Sequence, residues 1–361
     1  MTTRPDPPDL ATIDEVIALA RDRTDPGAYA WAAAGAGQGV TLARNAISLN
    51  QLALVPRVLR DVEHVDAGSS LLGVPLAFPV ILAPVGALAL YDRDDGVAAG
   101  RAATDMSTSA MVSALTTSPW EEVAATSLGR HFFQLYVFGD RDWTSEVLTR
   151  VGHAGFAGVC VTVDTPVIAR RDRSLEARFT WSTPPGGAPN LRSHGSDPGY
   201  RTRHSWSDLQ WLISATDLPV IVKGIMTIDD ARAAVEAGAR AVYVSNHGGR
   251  VVDHSLSTIE VLAEIVDAVG SEVQVVVDSG FTRGAEVCKA LALGARAVGI
   301  GRLQCWGLAA GGRAGLVRVL ELMREEIIIT MANIGCRSVD EITRDRVRWS
   351  NAAPPDGPSD L

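Results

Sequence analysis

Cysteine is scarce in this chain, basic charge is not in excess and no apolar run is long, and each shortage removes a class of function. The four cysteines, Cys160, Cys288, Cys305 and Cys336, stand far apart, with no Cys-x-x-Cys pair and no histidine at metal-ligand spacing. Neither a metal site nor a disulfide scaffold is therefore expected. Cys160 and Cys288 lie inside apolar stretches, where a free thiol behaves as a small hydrophobe, and a reducing cytoplasm is the expected compartment. The formal net charge of −9 argues against a nucleic-acid partner, because phosphate backbones are gripped by basic surfaces. A few local arginines can still hold a small anion. No apolar run reaches the roughly 18 residues that cross a bilayer. The longest, residues 78–91, is interrupted by Pro84-Val85-Gly86 and ends in Asp92-Arg93-Asp94-Asp95. The first ten residues hold three prolines and two aspartates and do not resemble a signal peptide. A soluble protein without a membrane partner is expected.

What is present is an alternation. Short β-branched runs alternate with longer stretches rich in Ala, Leu and Glu, the pattern of repeated βα units on a parallel sheet. The expected strands are residues 79–83, 109–112, 132–136, 158–163, 219–222, 241–244, 274–277 and 297–300. Most are nearly continuous apolar runs, as strands buried on both faces should be. Residues 227–237 and 282–293 read as helices closed by Gly238 and Gly294, the first with Asp229 and Asp230 in its opening turn. Eight such units predict one (β/α)8 TIM barrel over residues 11–350. About 60 residues before the first strand supply capping helices, and disordered tails are expected at 1–10 and 351–361. Residues 181–207, polar and rich in Gly and Pro, should form a long loop over the barrel mouth.

The ends of the apolar runs carry the chemistry. In order they present Pro84-Val85-Gly86; Ser113; Gln134 with Tyr136; Thr162 with Asp164; Lys223; Ser245-Asn246-His247; Asp278; and Gly301-Arg302. In a β/α barrel the C-terminal strand ends converge on one face, where the active site lies. An enzyme is expected, because surface helices scatter polar residues and do not set them at successive strand ends. The last two loops, Asp278-Ser279-Gly280-Phe281-Thr282-Arg283-Gly284 and Gly299-Ile300-Gly301-Arg302, join glycines, backbone N–H groups and two guanidinium groups into a phosphate grip. Ser245-Asn246-His247-Gly248-Gly249-Arg250 brings an imidazole and a guanidinium to the mouth beside two glycines that permit close backbone approach.

With those residues in view, the chain resembles the FMN-dependent 2-hydroxy acid oxidases and dehydrogenases. The resemblance runs from about residue 28 to 341. Its motifs are Phe132-Phe133-Gln134-Leu135-Tyr136, Thr162-Val163-Asp164-Thr165-Pro166, Arg170-Arg171, Val222-Lys223-Gly224, Ser245-Asn246-His247-Gly248-Gly249-Arg250, Asp278-Ser279-Gly280 and Ile300-Gly301-Arg302. The resemblance implies that His247 is the base, by a carbanion or a hydride route, and that Asp164 orients it. It implies that Arg250 and Arg171 clamp the substrate carboxylate, for which a planar guanidinium is suited, and that Tyr136 bonds the substrate oxygen. Lys223 is then the charge beside flavin N1 and O2 that stabilises the reduced flavin. FMN is implied to be held by Pro84, Val85, Gly86, Ser113, Gln134, Thr162, Lys223 and Ser245, with Asp278, Gly280, Arg283, Gly301 and Arg302 toward the ribityl and phosphate end.

Three positions depart from the family. Trp31 replaces a tyrosine that helps bind the carboxylate, and indole can donate but not accept a hydrogen bond. Leu115 replaces a tryptophan that narrows the pocket, and Thr282-Arg283 replaces an Arg-Arg pair. A wider pocket with one fewer carboxylate ligand implies a substrate larger than glycolate, with an aromatic acid such as mandelate in view. The alternative is a flavoenzyme of the same family acting on an amine, an amide or a biosynthetic tailoring substrate, which Trp31 keeps open. Oxygen or a diffusible acceptor is expected to take the electrons, and a homo-oligomer, a tetramer by analogy, is the expected assembly.

Overall fold

The computed structural model describes residues 9–127, 130–179, 181, 190 and 204–350. Three helices lead: α1 (Ile13–Arg23), α2 (Pro26–Ala33) and α3 (Val40–Gln51). Thr12 and Asp25 cap the first two by accepting the N–H groups of Glu15 and Ala28, and Pro26 opens α2 where no N–H is needed. Strand β1 (Leu52–Leu54) and a hairpin of β2 (Ser69–Leu71) and β3 (Val74–Leu76) follow. The chain then runs β4 (Val80–Leu82), α4 (Asp95–Asp105), β5 (Ser109–Ser113), α5 (Trp120–Ala124), β6 (Phe132–Leu135), α6 (Arg141–Ala154) and β7 (Val159–Thr162). It continues through α7 (Asp172–Glu176), α8 (Trp206–Ser214), β8 (Val220–Ile225), α9 (Ile228–Glu236), β9 (Ala241–Val244) and α10 (Thr258–Val269). Last come β10 (Gln274–Val277), α11 (Gly284–Ala292), β11 (Ala297–Ile300), α12 (Arg302–Asn333) and β12 (Val347–Trp349).

Strands β4 to β11 pair in parallel and close into an eight-stranded barrel in chain order. All eight expected strands are present. The largest departure is β8, which continues past residue 222 to Ile225 across a register shift at Gly224.

Strand periodicity sorts the side chains into two cores. Val159 and Val161 of β7, Val220 and Val222 of β8, and Val242 and Val244 of β9 face out toward the helices. The alternate residues, Ile81, Met111, Phe132, Cys160, Ile221, Tyr243, Val276 and Ala297, fill the barrel interior, as a period of two requires. The β2–β3 hairpin adds Leu71, Val74 and Leu76 to this inner cluster. The stretch expected to supply capping helices thus also supplies a hairpin that packs on the interior layer. A second unforeseen element is the antiparallel pairing of β1 with β12, which joins residues nearly 300 apart in sequence.

The expected boundaries need two corrections. Leu10, read as part of a disordered tail, is buried in the apolar core, and Arg318 Nε donates to its carbonyl at 2.7 Å. The loop expected over 181–207 ends earlier, at Ser205, whose side chain and Asp208 form a capping box for α8. Within that loop, Asn190 is tied to the strand-β5 loop: it accepts from Trp120 N–H and donates to the carbonyls of Thr116 and Ser118. Residues 182–189 and 191–203 of that loop, the first eight residues and 351–361 lie outside the described residues. Among those described, no helix is long and apolar enough to cross a membrane.

Candidate active site

The same periodicity builds the site. Two residues beyond the interior positions Met111, Phe132, Cys160, Ile221, Tyr243 and Val276 stand Ser113, Gln134, Thr162, Lys223, Ser245 and Asp278. Each side chain keeps the inward parity of its strand. One step higher come Leu115, Tyr136, Asp164 and His247. A polar layer therefore rests on the apolar core, and the reactive side chains stand above it.

His247 is held from both sides. Its Nδ1 lies 3.0 and 3.2 Å from the two carboxylate oxygens of Asp164, and its Nε2 lies 3.4 Å from the Tyr136 hydroxyl. An anion at Asp164 fixes the proton on Nδ1 and leaves Nε2 free to accept one. Burial works against the Asp164 charge, but His247 and Lys223 outweigh it and hold the carboxyl below its usual range. The turn that carries His247 has positive φ at three residues in succession, 58° at His247, 67° at Gly248 and 71° at Gly249. A paired amide contact fastens it to α3: Asn45 Nδ2 donates to Asn246 Oδ1 at 3.0 Å and Asn246 Nδ2 to Asn45 Oδ1 at 2.8 Å. Gly224, at φ 112°, leaves room for Asp164, since a Cβ there would sit 2.5 Å from Asp164 Cβ.

Lys223 is 3 % exposed and Asp278 6 %, so each needs the other. Lys223 Nζ donates to Ser245 Oγ at 2.9 Å and lies 3.4 Å from Asp278 Oδ2. Burial alone would lower its pKa, but Asp278 and Asp164 push it up and keep the ammonium charged.

Three arginines converge near these groups. Arg250 Nη1 donates to the carbonyls of Trp31, Ala32 and Ala34 at 2.9, 3.0 and 3.0 Å, and its guanidinium stacks on the Trp31 ring. Arg302 donates to Ala32 and Ala34 from its Nε and Nη2. Burial, then Arg171 and Arg302, hold the Arg250 pKa well below the usual guanidinium value. Burial, with Arg171 adding to it, brings Arg302 down to about 10. Three half-buried cations set this close, with Arg171 lowering both Arg250 and Arg302, make an anion site.

Several buried polar atoms have no partner in the protein. Gln134 Oε1 accepts from Ser113 Oγ at 2.9 Å, but Gln134 Nε2, Thr162 Oγ1 and Arg171 Nε make no hydrogen bond. Leaving such a group unpaired costs about 1–3 kcal/mol, so the mouth is built for a ligand with polar edges. Gly301 starts α12 without a side-chain cap, and a Cβ there would meet nothing within 4 Å. An open helix N-terminus beside Arg302 suits a phosphate. These residues fit FMN: a donor and a hydroxyl for the edge of the ring, a cation for its reduced form, and a helix terminus for its phosphate.

One expected ligand is elsewhere. Arg283 pairs with Glu326 at 2.8 Å and lies 3.5 Å from Asp14, so its charge is spent on α12 and α1, and the phosphate grip keeps only Arg302. Gly280 stays in the grip, with φ 98° and Asn45 Cβ 3.0 Å from where its own Cβ would be. Leu115 lies close to Gly86, as Gly86 could take no Cβ without approaching Leu115 Cβ at 2.7 Å.

The sequence reading missed two groups. The carbonyls at the end of α2 that grip both arginines carry no side-chain signal at all. Asp253 also went unmarked: its carboxylate accepts the N–H groups of Gln38, Gly39 and Thr41 and so anchors α3 beside the His247 turn. A carboxylate three residues after Arg250, facing a helix whose Gly39 N-cap has no side chain, was the available clue.

Comparison with known proteins agrees with this geometry. A sequence profile of FMN-dependent dehydrogenases matches residues 20–349. Glycolate oxidase of Spinacia oleracea is 38 % identical, covering 97 % of this chain and 98 % of its own. A peroxisomal (S)-2-hydroxyacid oxidase of Arabidopsis thaliana is 37 % identical over 95 % and 97 %. Among solved structures, mandelate oxidase with benzoyl-formic acid superposes with a TM-score of 0.88 at 34 % identity, covering 95 % of this chain and all of that one.

Proposed function

The chain belongs to the family of FMN-dependent dehydrogenases, and from that premise we propose that it oxidises an aryl 2-hydroxy acid larger than glycolate. FMN-dependent oxidation of a 2-hydroxy acid is the chemistry of its relatives. One observation carries the proposal: a single imidazole is gripped by Asp164 at Nδ1 and met by Tyr136 at Nε2, beside a cluster of half-buried arginines.

In this reading Arg250 and Arg171 bind the substrate carboxylate, Arg171 through an Nε that has no protein partner. Tyr136 donates its hydroxyl proton to the substrate oxygen. His247 Nε2 takes the substrate proton, and Asp164 stabilises the imidazolium that results. Lys223 presents a fixed positive charge at the base of the mouth. Bound FMN would supply the acceptor for the two electrons and the second proton that oxidation at C2 releases. Pro84, Val85, Gly86, Ser113, Gln134, Thr162, Lys223 and Ser245 would hold its ring, Asp278 its ribityl chain, and Gly280, Gly301 and Arg302 its phosphate.

The aryl preference rests on the side of the clamp. Trp31 lies under Arg250, and Trp181 is 6.2 Å from it between ring centroids, so an aromatic substituent meets aromatic faces. Oxygen or a diffusible carrier accepts the electrons, and identical chains assemble into a homo-oligomer. The four cysteines are free and buried, in keeping with a reducing compartment such as the cytoplasm.

The test is anaerobic mixing with a panel of 2-hydroxy acids while the flavin absorbance is followed. Mandelate should bleach the flavin with a higher second-order rate than glycolate, and His247→Ala should abolish bleaching. A faster reaction with glycolate would remove the aryl reading. A flavin that no hydroxy acid reduces would favour an amine or tailoring substrate.

A further inference from the structure

The phenol of Tyr243 lies within the barrel interior, and its ring stands under the ammonium of the buried lysine. Tyr243 is the ladder partner of Lys223 between β8 and β9, just before the register shift at Gly224. Adjacent partners in a parallel sheet project to the same side, so both point inward. Lys223 Nζ lies 5.3 Å from the centroid of the Tyr243 ring. The ammonium thus has three supports: Ser245 Oγ, Asp278 Oδ2 and the aromatic face beneath.

The hydroxyl has a separate place. It reaches to Gly299 on β11, where any Cβ would run into it. By strict geometry it makes no hydrogen bond, although the Asp278 carboxylate lies near enough to act on it. Burial, and then the Asp278 carboxylate close by, hold the phenol far above its ordinary pKa, so it stays neutral. The oxygen therefore fills the notch left by Gly299, and the ring faces the cation.

We propose that Tyr243 is a positioning residue for Lys223, its ring forming the floor that keeps the ammonium raised at the mouth, where it sets the reduction potential of bound FMN. A lysine stem is flexible. A shorter aliphatic side chain at 243 would open space below and remove the attraction between cation and ring. The ammonium would then settle inward, away from the mouth. A positive charge farther from the reduced, anionic flavin stabilises it less, so the potential falls. This inference rests on the placement of Lys223 beside the flavin proposed above.

The experiment is an equilibrium redox titration of the FMN-loaded protein at fixed pH, comparing wild type with Lys223→Met, Tyr243→Leu and Tyr243→Phe. The expected result is a lower midpoint potential for Lys223→Met, a smaller fall for Tyr243→Leu, and a value near wild type for Tyr243→Phe. An unchanged potential in Lys223→Met would overturn the placement of the lysine itself. A fall in Lys223→Met with none in Tyr243→Leu would overturn the floor alone. A Tyr243→Phe potential as low as that of Tyr243→Leu would assign the effect to the hydroxyl and also overturn it. If Tyr243→Leu does not fold, Tyr243→Met keeps more volume without a π-face and should show the same fall. Melting temperatures test the notch without flavin: Gly299→Ala should lower Tm sharply in the wild-type background and much less together with Tyr243→Phe.

Discussion

The guanidinium carbon of Arg250 lies 4.6 Å from the centroid of the Trp31 indole, while Nη1 of the same arginine donates to the Trp31 carbonyl at 2.9 Å. One residue thus grips the arginine by its ring and by its backbone. The carbonyls involved belong to the last turn of α2 and just beyond, where the helix dipole is negative and favours a cation. The indole at position 31 therefore acts on the carboxylate clamp through Arg250, by fixing where its remaining N–H groups point.

Removing the ring should loosen the clamp and spare the chemistry. A desolvated cation–π contact is worth up to about 2 kcal/mol, so Trp31→Ala should raise KM for the hydroxy acid about tenfold with a smaller change in kcat. Trp31→Phe should recover most of that loss. Steady-state kinetics of both variants decide the matter; an unchanged KM in the alanine variant would show that the stack contributes nothing.

Gly86 and Leu115 should behave as a pair. An alanine at 86 would bring its methyl to 2.7 Å from Leu115 Cβ, and overpacking of this kind costs about 1–3 kcal/mol. Gly86→Ala should lower Tm and kcat/KM together. Leu115→Ala leaves that Cβ in place and should relieve little, whereas Leu115→Gly in the same background should restore stability. Equal rescue by both would place the clash elsewhere.

The unpaired amide of Gln134 yields different effects in two states of the protein. In the apoprotein its Nε2 is buried without a partner, which offsets the bond its Oε1 accepts from Ser113, so Gln134→Ala should lower the apoprotein Tm only slightly. With FMN it supplies a hydrogen bond worth about 1 kcal/mol, and the variant should bind FMN about five- to tenfold more weakly by fluorescence titration. Stripping FMN from the wild type should lower Tm, because a ligand that binds only the folded state stabilises it. A Gln134→Ala apoprotein that melts well below wild type would show the side chain to be structural.

His131 should set part of the acid limit of stability. Its Nδ1 accepts from the Ala110 N–H at 3.2 Å and its Nε2 lies 3.1 Å from the Gly100 carbonyl, which fixes the neutral ring. Burial brings its pKa down to about 4 from 6.5. The unfolded chain therefore takes up this proton first as pH falls, and stability declines between about pH 6.5 and 4, by about 3 kcal/mol in all. Urea unfolding across that range should show the slope in wild type and a reduced slope in His131→Asn. Equal slopes would remove His131 from the account.

The barrel was legible because a strand buried on both faces must be apolar nearly throughout, and eight such runs stand in order. The polar residues that end them were legible for the same reason, since nothing else interrupts those runs. Strand parity would also have sorted Ser113, Gln134, Thr162, Lys223, Ser245 and Asp278 into one layer. The β2–β3 hairpin was not legible: Ser69–Leu71 and Val74–Leu76 are three residues each, too short for a periodic signal, and Pro75 argues against a strand.

The amino-acid order alone determined the fold class and the polar residues that end the strands, because these depend on local pattern; the cofactor class followed from the family resemblance that the motifs carry. Tertiary structure decided where the long charged side chains go. Arg283 turns to Glu326, Arg250 and Arg302 turn to the carbonyls ending α2, and the Tyr243 hydroxyl on β9 fits against Gly299 two strands away on β11. Those choices are made by burial and by partners from 43 to 270 residues away in the chain. A backbone carbonyl is the same in every residue, so no local pattern announces which one an arginine will find.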